Sequence, residues 1–156
     1  MPRIDGATMK TLALDLGTKT GWAFVSEFGT RHTGSWDFSL NRSDSPAMRF
    51  IRFENQLHKL RFEFAYEHVV YERVDFAKTT IAAQIWGGFH ALLLTHCEKN
   101  DIHFEGFGVT ELKKFAAGKG NAKKPEMIAA AKRMGWTPTD DNSADACCLW
   151  EFWKQL

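Results

Sequence analysis

With 156 residues, 44% of them hydrophobic and 13% aromatic, the chain has room for one compact domain and none for a second. Thirteen Phe and six Trp are expected to lie mostly in that domain's core. A net charge of +1 excludes binding of polyanions through overall charge, so any nucleic-acid surface has to come from local clustering.

Residues 1 to 9 are polar and irregular and are expected to be a flexible leader. The fold starts near Lys10. Thr11 to Leu16 and Gly21 to Ser26 are β-rich runs separated by Gly17-Thr18-Lys19-Thr20, and Thr30 to Phe38 follows the turn Glu27-Phe28-Gly29. Strands this closely spaced have to form an antiparallel meander. Ser45-Pro46 predicts an N-cap and first helical residue, opening a helix to about Phe64. On it Phe50, Phe53, Leu57, Leu60 and Phe64 make one apolar stripe, with Arg49, Arg52, Lys59 and Arg61 largely off it as a solvated face. His68 to Val74 reads as a strand, and Ala77 to Glu98 as a helix with Gly87-Gly88 open to close approach of another backbone. Ile102 to Val109 reads as a further strand. Strand, helix and strand make a βαβ unit, so these two strands are expected to be parallel. Thr110 is placed to cap a helix over Glu111 to Ala117, stopped by Gly118; Pro125 opens Glu126 to Met134, and a last helix begins near Asn142.

Cys97, Cys147 and Cys148 are odd in number, with two adjacent, which is a poor disulfide framework and suits a reducing cytosol. Cys97 with His96 and His103 lacks a second pair at zinc-ligand spacing. No apolar run approaches the roughly 20 residues of a membrane span. A cytoplasmic protein without membrane contact is expected.

Two carboxylates stand out because they interrupt apolar strands. Asp15 lies between Leu14 and Leu16, and Glu72 ends Val69-Val70-Tyr71. A buried acid is costly unless its charge is compensated. In the last helix Asp141 and Asp145 are four apart, and Asn142 and Asp145 three apart, so either pair shares a face. Asp145 is embedded in Ala144, Ala146, Cys147, Cys148 and Leu149, the side expected to pack inward. Acids converging there would repel one another unless divalent cations neutralise them, and hard oxygen ligands suit Mg²⁺ or Mn²⁺. From Lys113 to Arg133 seven basic residues cluster: Lys113, Lys114, Lys119, Lys123, Lys124, Lys132 and Arg133.

Four blocks, residues 12–23 (Leu-Ala-Leu-Asp-Leu-Gly-Thr-Lys-Thr-Gly-Trp-Ala), 69–74 (Val-Val-Tyr-Glu-Arg-Val), 109–127 with Gly-Lys-Gly-Asn-Ala-Lys-Lys at its centre, and 140–146 (Asp-Asp-Asn-Ser-Ala-Asp-Ala), resemble the successive blocks of RuvC-like Holliday junction resolvases. They stand in the family's order and span nearly the whole chain. The resemblance implies an α/β, ribonuclease H-like fold, with a mixed five-stranded sheet of three antiparallel and then two parallel strands flanked by helices. It implies a metal-dependent endonuclease with two Mg²⁺ per site, replaceable by Mn²⁺, that nicks four-way or branched DNA symmetrically as a homodimer and uses no small-molecule cofactor. Asp15, Glu72 and Asp145 match the family's metal-binding acids. The fourth ligand falls to Asp141, because the family's usual Asp or His position is held here by the weaker Asn142. Lys113 and Lys124 match basic residues near the scissile phosphate, and Lys119 and Lys123 are assigned to the DNA backbone.

One departure concerns the aromatic that wedges into the junction in some relatives. That position is Asp75 here, and Phe76 stands next to it, either as the wedge or as core. The family's dimer helix is the one after Glu72's strand, which offers Ile81, Ile85 and Phe89, or Trp86 and Leu93, to a partner. Other readings stay open: Asp15 and Glu72 as structural acids satisfied by a helix end or Arg73; Asp141 as a plain N-cap; a ribonuclease acting on RNA precursors; a non-catalytic branched-DNA binder; or an ATP-binding module of the actin type, for which the chain is short.

Overall fold

The computed structural model describes residues 9 to 156, so the expected leader, Met9 apart, lies outside the described residues. Five strands, β1 (Thr11–Asp15), β2 (Lys19–Val25), β3 (Arg31–Asp37), β4 (His68–Arg73) and β5 (His103–Gly108), form one sheet in the order β3-β2-β1-β4-β5. β1, β2 and β3 are antiparallel neighbours, while β4 runs parallel to both β1 and β5. The helices are α1 (Met48–Phe64), α2 (Thr80–Lys99), α3 (Val109–Ala117), α4 (Lys124–Arg133) and α5 (Asp141–Lys154). None is long and apolar enough to cross a membrane among the described residues.

Alternation along β1 and β4 divides the core in two. Leu12, Leu14, Val69 and Tyr71 face α1 and α2, where they meet Phe53, Leu57, Phe89 and Leu93. Each fully buried aliphatic side chain there contributes roughly 2 kcal/mol. Ala13, Ala23 and Val70 face the other way, toward Ala144, Ala146, Cys147 and Cys148 of α5 and Met127, Ala130 and Ala131 of α4. Small residues on both partners let α5 lie close to the strands. Trp150 fixes its far end by donating its indole N–H to Thr11 O at 3.2 Å.

Several local expectations need correction. α1 starts at Met48 rather than Pro46; Ser45 Oγ instead accepts the Ala47 N–H at 3.2 Å, closing a turn ahead of the helix. α2 starts at Thr80, capped by Thr79 Oγ1 accepting from Ala82 N–H at 3.0 Å. Thr110 is not a cap, because α3 already runs from Val109 directly out of β5. At Gly88 it is a ring and not a backbone that comes close: an added Cβ would lie 2.4 Å from Phe50 Cε1. Arg52 and Arg61 are not merely solvated, since Arg52 grips Asp44 with both guanidinium nitrogens and Arg61 donates to Tyr66 O.

Phe24, Phe38, Phe53, Phe89, Phe152, Trp136 and Trp150 are buried, and the other Trp pack against the core from the side. Phe28, Phe62 and Phe76 are almost wholly exposed. All three cysteines are free and buried, and burial pushes each thiol up to about 12. His96 commits Nε2 to the Tyr66 hydroxyl at 2.7 Å, away from any shared ligation with Cys97 and His103.

Candidate metal centre

The pleat that sends Ala13 and Val70 toward α5 sends Asp15 and Glu72 the same way, two residues further along each strand. Leu14 is in register with Tyr71, so the two acids are side by side at the C-terminal ends of neighbouring parallel strands. Across the other edge of β1, Asp15 pairs with Gly21. A Cβ on Gly21 would fall 1.9 Å from Asn142 O and 2.7 Å from Ser143 N. The first turn of α5 therefore rests directly on β2 beside Asp15, with the positive end of its dipole toward the carboxylates.

α5 is capped by Asp140, whose Oδ1 accepts the Ser143 N–H at 2.8 Å while Ser143 Oγ accepts the Asp140 N–H at 3.1 Å. Asp141 is therefore not the N-cap. It is the first residue of the helix, and Asp145 follows one turn later. Burial pushes Asp140 up, but hydrogen bonds from Ser143, Ser35 and Asn142 outweigh it and hold the carboxyl below its ordinary value. Sequence reasoning passed over this capping pair and Gly21. The pair had a signal: Asp140 has a hydroxyl residue three positions on, whereas Asp141 has Ala144. Gly21 had none, because its neighbour lies far along the chain.

The acids perturb one another. Burial, then the charges of Glu72, Asp145, Asp141 and Asp140, raise Asp15 well above the usual carboxylate range. Burial and Asp145 lift Glu72 to about 7, against the pull of Lys113. Burial and Asp141 lift Asp145 to about 6, opposed by Lys113 and Lys124. Arg73 does not satisfy them: it alternates to the opposite face, with its chain against Gly106 and Nε 3.7 Å from Asp75 Oδ1. The reading of Asp15 and Glu72 as acids paired with Arg73 fails on that geometry.

Of the predicted lysines, Lys113 on α3 acts on Glu72 and Asp145 through space, and Lys124 on α4 makes contact, its Nζ 3.4 Å from Asp141 Oδ2. Lys119 pairs with Glu126 at 3.1 Å, and Lys123 holds the start of α4, its N–H donating to Glu126 Oε1 at 3.4 Å. Phe76, in the loop between β4 and α2, is 96% exposed and so is not core. Phe89 and Leu93 are fully buried within the chain and cannot face a partner, whereas Ile81 is 68% exposed.

Chemically the donors fit a hard divalent cation: all are carboxylate oxygens, they carry uncompensated negative charge, and two lysines offset it only in part. Among the described residues no three His, Cys, Asp or Glu side chains are closed around a common ion position.

No family model matches the sequence, and no curated protein does either. Solved structures do match. Thermus thermophilus RuvC superposes with a TM-score of 0.73 over 90% of each chain at 20% identity. The fold is that of RuvC. The T. thermophilus RuvC complex with a Holliday junction substrate gives a TM-score of 0.75, covering 91% of this chain and 90% of that one at 20% identity. The yeast mitochondrial Holliday junction resolvase gives 0.62, covering 94% and 78% at 14% identity. The expected ribonuclease H-like arrangement, three antiparallel strands followed by two parallel ones, is the architecture observed here.

Proposed function

We propose that the chain is a metal-dependent endonuclease that resolves four-way DNA junctions by paired symmetric nicks, acting as a homodimer. The observation that carries this is the convergence of Asp15, Glu72, Asp141 and Asp145 from β1, β4 and α5, flanked by Lys113 and Lys124. The similar structures include resolvases bound to junction DNA, which favours branched DNA over other phosphodiesters.

Asp15, Glu72, Asp141 and Asp145 are the ligands in this reading, suited to two Mg²⁺ with Mn²⁺ as a substitute. Bound there, divalent cations would activate a water and polarise the phosphodiester. Lys113 and Lys124 oppose the negative charge that develops on the phosphate. Lys119 and Lys123, further along the same basic segment, track the DNA backbone, which makes affinity fall with salt. For the dimer, the exposed first turns of α2 supply a surface: Val74, Ile81, Ala82, Ile85 and Trp86 line an apolar groove of about 410 Å³. Phe76 stands beside it as the residue that wedges the junction open.

The deciding experiment incubates the protein with Mg²⁺ and a synthetic four-way junction, beside linear duplex and an RNA hairpin, after sedimentation has established its oligomeric state. Paired nicks at symmetric positions are expected on the junction alone. Asp15→Asn should lower the rate by ~10³-fold or more while junction affinity stays within a few-fold. Cleavage that survives Asp15→Asn, or equal cutting of duplex, would sink the proposal; preference for the hairpin would move it to RNA.

Phe76→Ala separates the wedge from a structural role. Because the ring is 96% exposed, its loss should shift the melting temperature by about 1 °C or less. Unstacking at the crossover, read from a fluorescent base analogue, should drop sharply. An unchanged fluorescence signal would remove Phe76 from the mechanism.

A further inference from the structure

Of the four acids, Asp141 is the one with a cation directly upon it. Lys124 Nζ lies 3.4 Å from Asp141 Oδ2, with the lysine side chain 80% exposed and the carboxylate 29%. The position of that lysine is unusual in electrostatic terms. It is the first residue of α4, the end at which the helix dipole opposes a positive charge. The first-turn acid of α4, Glu126, pairs with Lys119 instead. The charge of Lys124 is thus compensated outside its own helix, on α5, at Asp141 and, through space, at Asp145.

The backbone beneath it is held and the side chain is not. Met127, Ala130 and Ala131 anchor α4 against α5, and Cys148 Sγ donates to Met127 O at 3.6 Å. An ion pair this exposed is weak and screened by salt, so a competitor of higher charge exchanges for it readily.

We propose that Lys124 is an internal counter-ion of Asp141 that a divalent cation displaces, releasing the ammonium toward the phosphate to be cut. The inference rests on the metal-nuclease reading and adds an order to it: lysine and ion compete for one carboxylate. By linkage, whatever strengthens one contact weakens the other by the same factor. Asp141 then keeps a partner of its own with no ion bound, and Lys124 is released toward DNA only once the ion is in place. Lys124 is a positioning residue for metal loading before it touches substrate.

The test measures metal binding without DNA. Mn²⁺ is titrated calorimetrically into the full metal-free chain at low salt, comparing wild type, Lys124→Met and Lys132→Met, the last removing the same charge near the other end of α4. Lys124→Met should bind Mn²⁺ about three- to tenfold more tightly than wild type, the scale of one exposed charge interaction, while Lys132→Met stays within about twofold. In wild type, acetylation of Lys124 by a succinimidyl ester, read by mass spectrometry, should rise when Mn²⁺ saturates the site. Affinity of Lys124→Met equal to or below wild type, or Lys124 labelling indifferent to Mn²⁺, overturns the displacement. Wild type that binds no Mn²⁺ overturns it together with the metal centre, whereas wild type that binds Mn²⁺ and cuts junctions confines the failure to Lys124.

Discussion

Asp145→Asn should yield a protein that melts higher than wild type without metal and no longer nicks junctions with it. Asp145 is lifted from 3.8 to about 6 by burial and by Asp141. A carboxyl whose folded value exceeds its unfolded one binds more protons in the native state between the two, so stability falls as pH rises from about 4 to about 6 and stays lowered above. Asn carries no charge at any pH. The variant's advantage is therefore near zero at pH 4, grows through pH 6 and is full only above about pH 7, where Glu72, itself lifted by the Asp145 charge, has also ionised. It is on the order of 2 to 3 kcal/mol, or about 5 °C or more in melting temperature. Buried His68 and His96, both pushed down to about 4, titrate alike in the two proteins and drop out of the difference. Saturating Mg²⁺ should invert the order, because binding stabilises only the protein that keeps its ligands. Thermal melts at pH 4 and pH 8, with and without Mg²⁺, check all four corners. A variant less stable than wild type at pH 8 without metal would mean that Asp145 is a satisfied structural acid.

Gly21→Ala should unfold the site from the opposite side. The methyl would have to occupy space 1.9 Å from Asn142 O and 2.2 Å from its carbonyl carbon, both backbone atoms that no rotamer change can move. Relief requires lifting the first turn of α5 off β2, which carries Asp141 away from Asp15. Overpacking against main chain of this kind costs roughly 3 kcal/mol or more, about 10 °C for a chain of this size. Mn²⁺ affinity should fall with it. Gly17→Ala is the control: its methyl would meet only Lys19 O at 3.5 Å, and it should stay within about 1 kcal/mol of wild type. Equal melting of Gly21→Ala and wild type would mean that α5 does not dock as described.

The contrast between these residues shows what a chain discloses before it folds. Asp15 and Glu72 were legible because a charge inside an apolar strand is a local contradiction, visible from its immediate neighbours. Asp145 was legible for the same reason, ringed by Ala, Cys and Leu. The parallel pairing of β4 and β5 followed from the order strand, helix, strand, a βαβ unit. Gly21 was opaque, since its constraint comes from Asn142 at the far end of the chain. The choice between Asp140 and Asp141 as cap turned on Ser143, and Phe76 as wedge or core turned on burial, which sequence cannot supply where a loop leaves the sheet. Phe89 and Leu93 shared a helix with truly exposed Ile81. The apolar pattern of α2 could not tell the half that packs on α1 from the half that projects beyond it.

The three sealed thiols give this molecule a built-in chemical clock. Cys97, Cys147 and Cys148 lie in both halves of the core, and with their thiols held near 12 none presents thiolate to a reagent while the native state persists. An alkylating agent therefore labels only chains that have opened. Native labelling rates at these positions report opening on the α1–α2 side and on the α5 side separately, so the chain carries its own probes of which face of the sheet lets go first.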